Sequence, residues 1–131
     1  MAYGYHNHFC GGAIIGSRVI LTAAHCFNMS LSSDLYRQTL IRAGDEYLNT
    51  PDDDATARNY KINTVKRHEL YEYGVKYDVA LVYTTEPIEF NDRTKKVCIP
   101  QIPEEYDDRN AGQLVYLNGW GREDDWPERI N

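Results

Sequence analysis

The stretch "CGGAIIGSRVILTAAHCF", Cys10 to Phe27, decides how this chain folds. Two apolar runs, Ala13-Ile14-Ile15 and Val19-Ile20-Leu21, stand on either side of Gly16-Ser17, and such runs split by a short turn read as a β-hairpin. The second run continues through Thr22 and two alanines to His25, which is joined directly to Cys26. A histidine in that place has two readings. It ends a strand while Cys26 fills a gap in a core, or Cys26 anchors the backbone so that the imidazole is held in one place for chemistry. Cys10 precedes Cys26 by 16 positions. A bridge between them would contribute about 3 kcal/mol through loop-closure entropy, whereas two reduced thiols would pack as small apolar side chains. Spacing alone leaves both open.

Outward from the hairpin the same grammar recurs. "QTLIRAGDEYL" and "YKINTVKRH" alternate apolar with polar residues around the acidic loop "NTPDDDATARN", with Leu40 and Ile41 locally breaking the pattern. "DVALVYTT" follows, closed by "EPIEFNDR", and "QLVYLNGWG" comes last. Short alternating segments with no long 3.6-residue period predict an all-β barrel or sandwich. Residues 99–112, "IPQIPEEYDDRNAG", carry two prolines, a run of acids and a glycine, and read as a linker or crossing loop.

At 131 residues the chain suits one compact domain and is too short for two of full size. Hydrophobic residues make up 42% and charged residues 26%, the balance of an ordered globular segment. The net charge is −6. Acids gather at Asp52-Asp53-Asp54, around Glu104-Glu105 and Asp107-Asp108, and at Glu123-Asp124-Asp125, which read as solvated loops. Nucleic acid is excluded as a partner, because phosphate contacts need a basic surface. A membrane span is not expected, since no apolar run approaches the roughly 20 residues a helix needs. The start "MAYGYHNHF" has neither a basic n-region nor an apolar h-region, so no secretory signal is expected within these residues. Cys10, Cys26 and Cys98 fit no C-x-x-C metal or redox spacing, and an odd count leaves one without a partner in this chain.

Asp78 opens the alternating run "DVALVY". Locally it reads as a residue that starts a strand. Paired with His25 it reads differently, because a carboxylate that accepts the Nδ1–H of an imidazole fixes the ring in one tautomer, the orienting half of an acyl-transfer site. "HNHFC" places His6, His8 and Cys10 on one face of an extended strand at ligand-like spacing. No metal is expected there, because Cys10 has a competing partner in Cys26. Asn28-Met29-Ser30 is an N-glycosylation sequon, so Asn28 is a possible glycan site in a secreted protein.

"CGGAIIGSRVILTAAHCF", "YDVALV", "KKVCIP" and "LNGWG", in that order, resemble the trypsin-like serine peptidases of the chymotrypsin family, from about His8 to Gly121. The resemblance implies a first six-stranded barrel, here incomplete, over residues 1–98, a crossing linker over 99–112, and over 113–131 the first strand and loop of a second barrel missing from this chain. It implies that His25 is the general base, Asp78 its orienting acid, and Cys10–Cys26 the bridge beside the base. It also implies an extracellular protein that hydrolyses polypeptide substrates through an acyl-enzyme, with no cofactor and no metal. His68 matches a frequent noncatalytic surface histidine. Cys98 matches a cysteine whose partner lies elsewhere, and Val115 stands where many relatives have a cysteine. The serines are Ser17, Ser30, Ser32 and Ser33, none flanked by the glycines that would supply oxyanion-hole amides. The expectation is therefore an inactive fragment of a serine endopeptidase. The alternatives are a noncatalytic binding module of protease-like fold and, from "HNHFC", a metal-binding protein.

Overall fold

The computed structural model describes residues 2–3, 7–27, 38–47, 57–99, 112, 114 and 116–121. In chain order the strands are β1 (Ala2–Tyr3), β2 (Asn7–His8), β3 (Ala13–Gly16), β4 (Val19–Thr22), β5 (Thr39–Ala43), β6 (Arg58–Arg67) and β7 (Ala80–Thr84). A 3-10 helix, Ala24–Phe27, follows β4. All pairings are antiparallel, in one sheet of order β2-β1-β5-β6-β7-β4-β3. The all-β expectation holds. Among the described residues the incomplete barrel takes the form of seven strands, from two residues each in β1 and β2 to ten in β6.

The connectivity forces this sheet to curl. Its two edges are β2 and β3, which are neighbours in sequence, so His8 and Ala13 stand no more than about 18 Å apart even with the chain fully extended. A flat sheet of this strand number would separate its edges by about 29 Å. β6 makes the bend. Arg58–Lys61 pair with β5 and Ile62–Arg67 with β7, with a register shift between Ile62 and Thr64 where one ladder passes to the next.

The predicted hairpin forms, with Ile14 opposite Ile20 and the turn at Ser17-Arg18. Gly12 is required at its entrance, since a Cβ there would lie 2.7 Å from Ile20 Cγ2 and 3.0 Å from the Leu21 carbonyl oxygen. Along β4 and β7 burial alternates, which turns Ile20 and Thr22 of one strand and Ala80, Val82 and Thr84 of the other inward. Ile20, Phe27, Ile41, Tyr60, Val82 and Ile88 form the core, each fully buried aliphatic side chain contributing roughly 1.5–3 kcal/mol. Thr84 satisfies its hydroxyl on the Glu86 carbonyl at 2.7 Å, and the Tyr60 hydroxyl accepts from the Glu89 amide at 3.0 Å. The free edge of β3 is covered where the Val97 amide donates to the Ile14 carbonyl at 2.8 Å.

Two expected strands differ. "QTLIRAGDEYL" stops as a strand at Ala43, because Gly44 takes a left-handed φ of 73° and Asp45 beyond it turns back to pair with Arg42. In "QLVYLNGWG", Leu114 and Tyr116–Asn118 form no ladder among the described residues. Of the predicted linker, residues 100–111 lie outside the described residues, as do 122–131.

Candidate active site

Strand register brings the two candidate side chains, His25 and Asp78, together. β4 and β7 pair with Ile20 opposite Val82 and Thr22 opposite Ala80. The chain leaves β4 at Thr22 on its way to His25 and enters β7 at Ala80 from Asp78, so both residues emerge at one end of the pair. A slip of two residues would part them by about 7 Å, which breaks any hydrogen bond. The 3-10 helix that carries His25 is held from below by Ala24 and Phe27, both buried in the core. It is held from the side by the Cys10–Cys26 disulfide, with Cα atoms 6.2 Å apart. Of the two readings of the cysteine pair, the bridge is the one observed.

Asp78 grips His25 at two points. Its Oδ2 lies 2.6 Å from His25 Nδ1, and its Oδ1 accepts the backbone N–H of His25 at 2.8 Å. An ionised carboxylate only accepts, so Nδ1 carries the proton and the Nε2 lone pair of the neutral ring is left exposed. The hydrogen bond from the His25 ring, then that from its amide, hold the Asp78 carboxyl below the usual carboxylate range. The pair is open to solvent, with 53% of the His25 side chain and 41% of the Asp78 side chain exposed. Cys26 Sγ lies 3.8 Å from His25 Nε2.

The loop leading into Asp78 carries a feature that residue types did not announce. Tyr77 has a φ of 55°, unusual for a side chain of its bulk. Its carbonyl accepts the Val79 amide at 2.8 Å, and the Val79 carbonyl accepts the His68 amide at 2.9 Å. Its ring stacks on His68 with centroids 4.8 Å apart and planes 7° from parallel. His68 is therefore at the surface, as expected, but it also clasps the loop that presents Asp78. Tyr71 stands nearby with its hydroxyl buried and without a hydrogen-bond partner, and desolvation together with the negative Asp78 raises its pKa.

The other singled-out residues do not join this pair. Ser17 sits in the turn before β4, at the opposite end of that strand from His25. Asn28, Ser30, Ser32, Ser33, His6 and Val115 lie outside the described residues. Cys98 is exposed and unbridged. His8 is half-buried, its Nε2 has no hydrogen-bond partner, and burial, then the positive amino terminus, lowers its pKa. In the "HNHFC" set, Cys10 has its sulfur committed to Cys26. Among the described residues no helix is long and apolar enough to cross a membrane.

Known proteins carry the same sequence pattern. The chain is 30% identical over 131 residues to a trypsin of Simulium vittatum, a match covering 99% of this chain and 47% of that protein. It is 32% identical over 121 residues to chymotrypsin-C of Mus musculus, covering 88% of this chain and 40% of that protein. It is 30% identical over 121 residues to the proclotting enzyme of Tachypleus tridentatus, covering 90% of this chain and 32% of that protein. The chain thus spans less than half the length of these relatives. The trypsin family model matches residues 1–129, and with an antiparallel sheet curled toward a barrel and an aspartate-gripped histidine at one end of it, the chain belongs to the trypsin family.

Proposed function

We propose that this chain is the histidine- and aspartate-bearing part of a serine endopeptidase, with His25 as general base and Asp78 as the acid that orients it. The observation that carries this reading is the two-point grip, 2.6 Å to Nδ1 and 2.8 Å to the backbone amide of His25. It fixes ring direction and tautomer together. Nε2 then takes the proton of a serine hydroxyl as that oxygen attacks a peptide carbonyl, and returns it to the departing amine. Asp78 stabilises the imidazolium in between.

The serine comes from outside residues 1–131 in this reading, since Ser17 is at the wrong end of β4 and none of the four serines has glycine neighbours on both sides. Residues 1–98 are the first barrel, 99–112 cross over, and 113–131 begin a second barrel. The exposure of Leu114, Tyr116 and Leu117, from 83% to 96%, supports a strand that waits for partners. The substrates are polypeptides. A Cys10–Cys26 bridge supports an oxidising, extracellular location, where the Asn28-Met29-Ser30 sequon is a glycan acceptor by sequence.

The test is covalent. A fluorophosphonate probe leaves all four serines of the 131-residue chain unlabelled. Applied to the native protein captured through this sequence, it labels one serine outside residues 1–131, and His25→Ala abolishes that labelling. Stoichiometric labelling of Ser17, Ser30, Ser32 or Ser33 would overturn the assignment. A native protein with no reactive serine would favour the noncatalytic binding module.

A further inference from the structure

We propose that reduction of the Cys10–Cys26 bridge opens a soft-metal site, built from the two cysteine thiolates and His25 Nε2 and suited to a zinc ion. The ligand atoms of Cys10, His25 and Cys26 lie within 4.8 Å of one another. Tetrahedral zinc holds thiolate sulfur at about 2.3 Å and imidazole nitrogen at about 2.0 Å, which sets neighbouring ligand atoms about 3.6–3.8 Å apart. Cys26 Sγ and His25 Nε2 already stand at 3.8 Å. After reduction Cys10 Sγ must leave Cys26 Sγ and settle nearer Nε2, within the 4.8 Å that already encloses all three ligand atoms. Cα atoms 6.2 Å apart leave the two thiolates free to turn about their Cα–Cβ bonds toward one ion.

Three further observations favour the site. His25 donates Nδ1–H to Asp78 at 2.6 Å, the carboxylate–histidine arrangement that orients an imidazole toward a metal and raises its basicity. Links other than the disulfide keep the ligands near one another. Thr22 Oγ1 donates to the Gly11 carbonyl at 2.8 Å, tying the Cys10 segment to β4, and Ala24 and Phe27 anchor the His25 helix in the core. The site is also reachable, since just over half of the His25 side chain is exposed.

As a disulfide the two sulfurs carry no thiolate charge, so the site exists only after reduction. A trialkylphosphine in water supplies the chemistry. Phosphorus gives two electrons to the S–S bond and leaves as the phosphine oxide, its oxygen coming from water, whose two protons end on the sulfurs. Metal binding then displaces both thiol protons to solvent. Three protein ligands leave a fourth position for water. The site does not depend on the endopeptidase reading. If that reading also holds, metal capture occupies the lone pair that would accept the serine proton, and the redox state of one bridge gates the base.

The full chain carrying Cys98→Ser, which removes the exposed third thiol, is reduced anaerobically with a phosphine and titrated with cobalt(II). The expected result is one equivalent bound, with thiolate-to-cobalt charge-transfer absorption and the ligand-field bands of a tetrahedral site. The oxidised chain shows neither. His25→Ala weakens binding at least about tenfold, and Asp78→Asn, which leaves every ligand in place, weakens it about 10–100-fold. The bands vanish in urea if the folded arrangement makes the site. Because reduction could itself unfold the chain, zinc protection of Cys10 and Cys26 from alkylation is measured alongside, with circular dichroism reporting the fold. Bands that persist in urea, that are unchanged by His25→Ala, or that fail to form in a folded reduced chain would overturn the proposal.

Discussion

The Asp78 carboxylate does two mechanical jobs with two oxygens, and its acidity records them. Its pKa is held low by the His25 ring and then by the His25 amide, so the stability it confers is complete above the unfolded-state value of about 3.9 and is lost as pH falls through the lower folded-state value. His8 adds a separate step in the same direction. Burial depresses its pKa, so the folded state resists protonation, and stability declines once pH drops below about 6.5. Urea midpoints measured against pH should therefore show two acid-side losses. Asp78→Asn removes the lower one and spares the upper; an unaltered lower limb in that variant would separate the grip from acid stability. Gly12 makes a steric prediction at the same scale. A methyl there meets a buried branch of Ile20 and the fixed Leu21 carbonyl, so Gly12→Ala should cost about 1–3 kcal/mol by overpacking. Gly11 has nothing within 4 Å of a built Cβ, and Gly11→Ala is the control that should lose far less in the same denaturation.

At the scale of elements, the loop from His68 to Asp78 sets the aim of the site. Tyr77 holds a φ of 55° against the preference of its residue type, and the His68 stack and the Val79 amide maintain it. A β-branched residue tolerates that conformation worst, while Asn visits it readily. Tyr77→Val should therefore cost about 1–2 kcal/mol and turn Asp78 off His25. Tyr77→Asn should preserve the grip while losing the stack. The readout is the low-field proton NMR signal of His25 Nδ1–H, absent in Tyr77→Val and retained in Tyr77→Asn; equal signals in both would leave the backbone at Tyr77 without a positioning role. Much of what surrounds this loop was legible in the sequence. The Gly16-Ser17 break predicted the hairpin, the alternation of "DVALVY" predicted β7, and the motifs paired His25 with Asp78 and Cys10 with Cys26. The loop itself was not, because a left-handed tyrosine is set by stacking from a residue nine positions away and not by its own preference. The end of β5 at Gly44 and the shift in β6 between Ile62 and Thr64 were hidden for a related reason. The first follows from the left-handed Gly44 and the return of Asp45 to Arg42, and the second from β6 passing from one partner strand to the other, neither of which alternation along one strand encodes.

Across the whole molecule, apolar side chains stand exposed both in the loop before Asp78, at Leu70, Tyr73 and Val75, and toward the C-terminal side of the described chain. Val97 and Ile99 are 52% and 59% exposed, and Leu114, Tyr116 and Leu117 range from 83% to 96%. The Trp120 indole N–H donates to the Glu46 carbonyl at 3.1 Å, which ties the last of this surface to the end of β5. Apolar area of this kind seeks a cover, and against it stands a net charge of −6 that makes copies of the chain repel one another. The balance depends on salt. At low ionic strength repulsion reaches across about 30 Å and keeps chains apart, while at 1 M salt it is confined to about 3 Å and apolar contact decides. Sedimentation velocity on the 131-residue chain should accordingly show self-association that strengthens as salt is raised. Tyr116→Lys combined with Leu117→Lys should abolish it, even though the two added positive charges reduce the net repulsion. That opposition makes the test discriminating: if charge alone governed association the double variant would associate more readily than the parent, and only loss of the apolar surface makes it associate less.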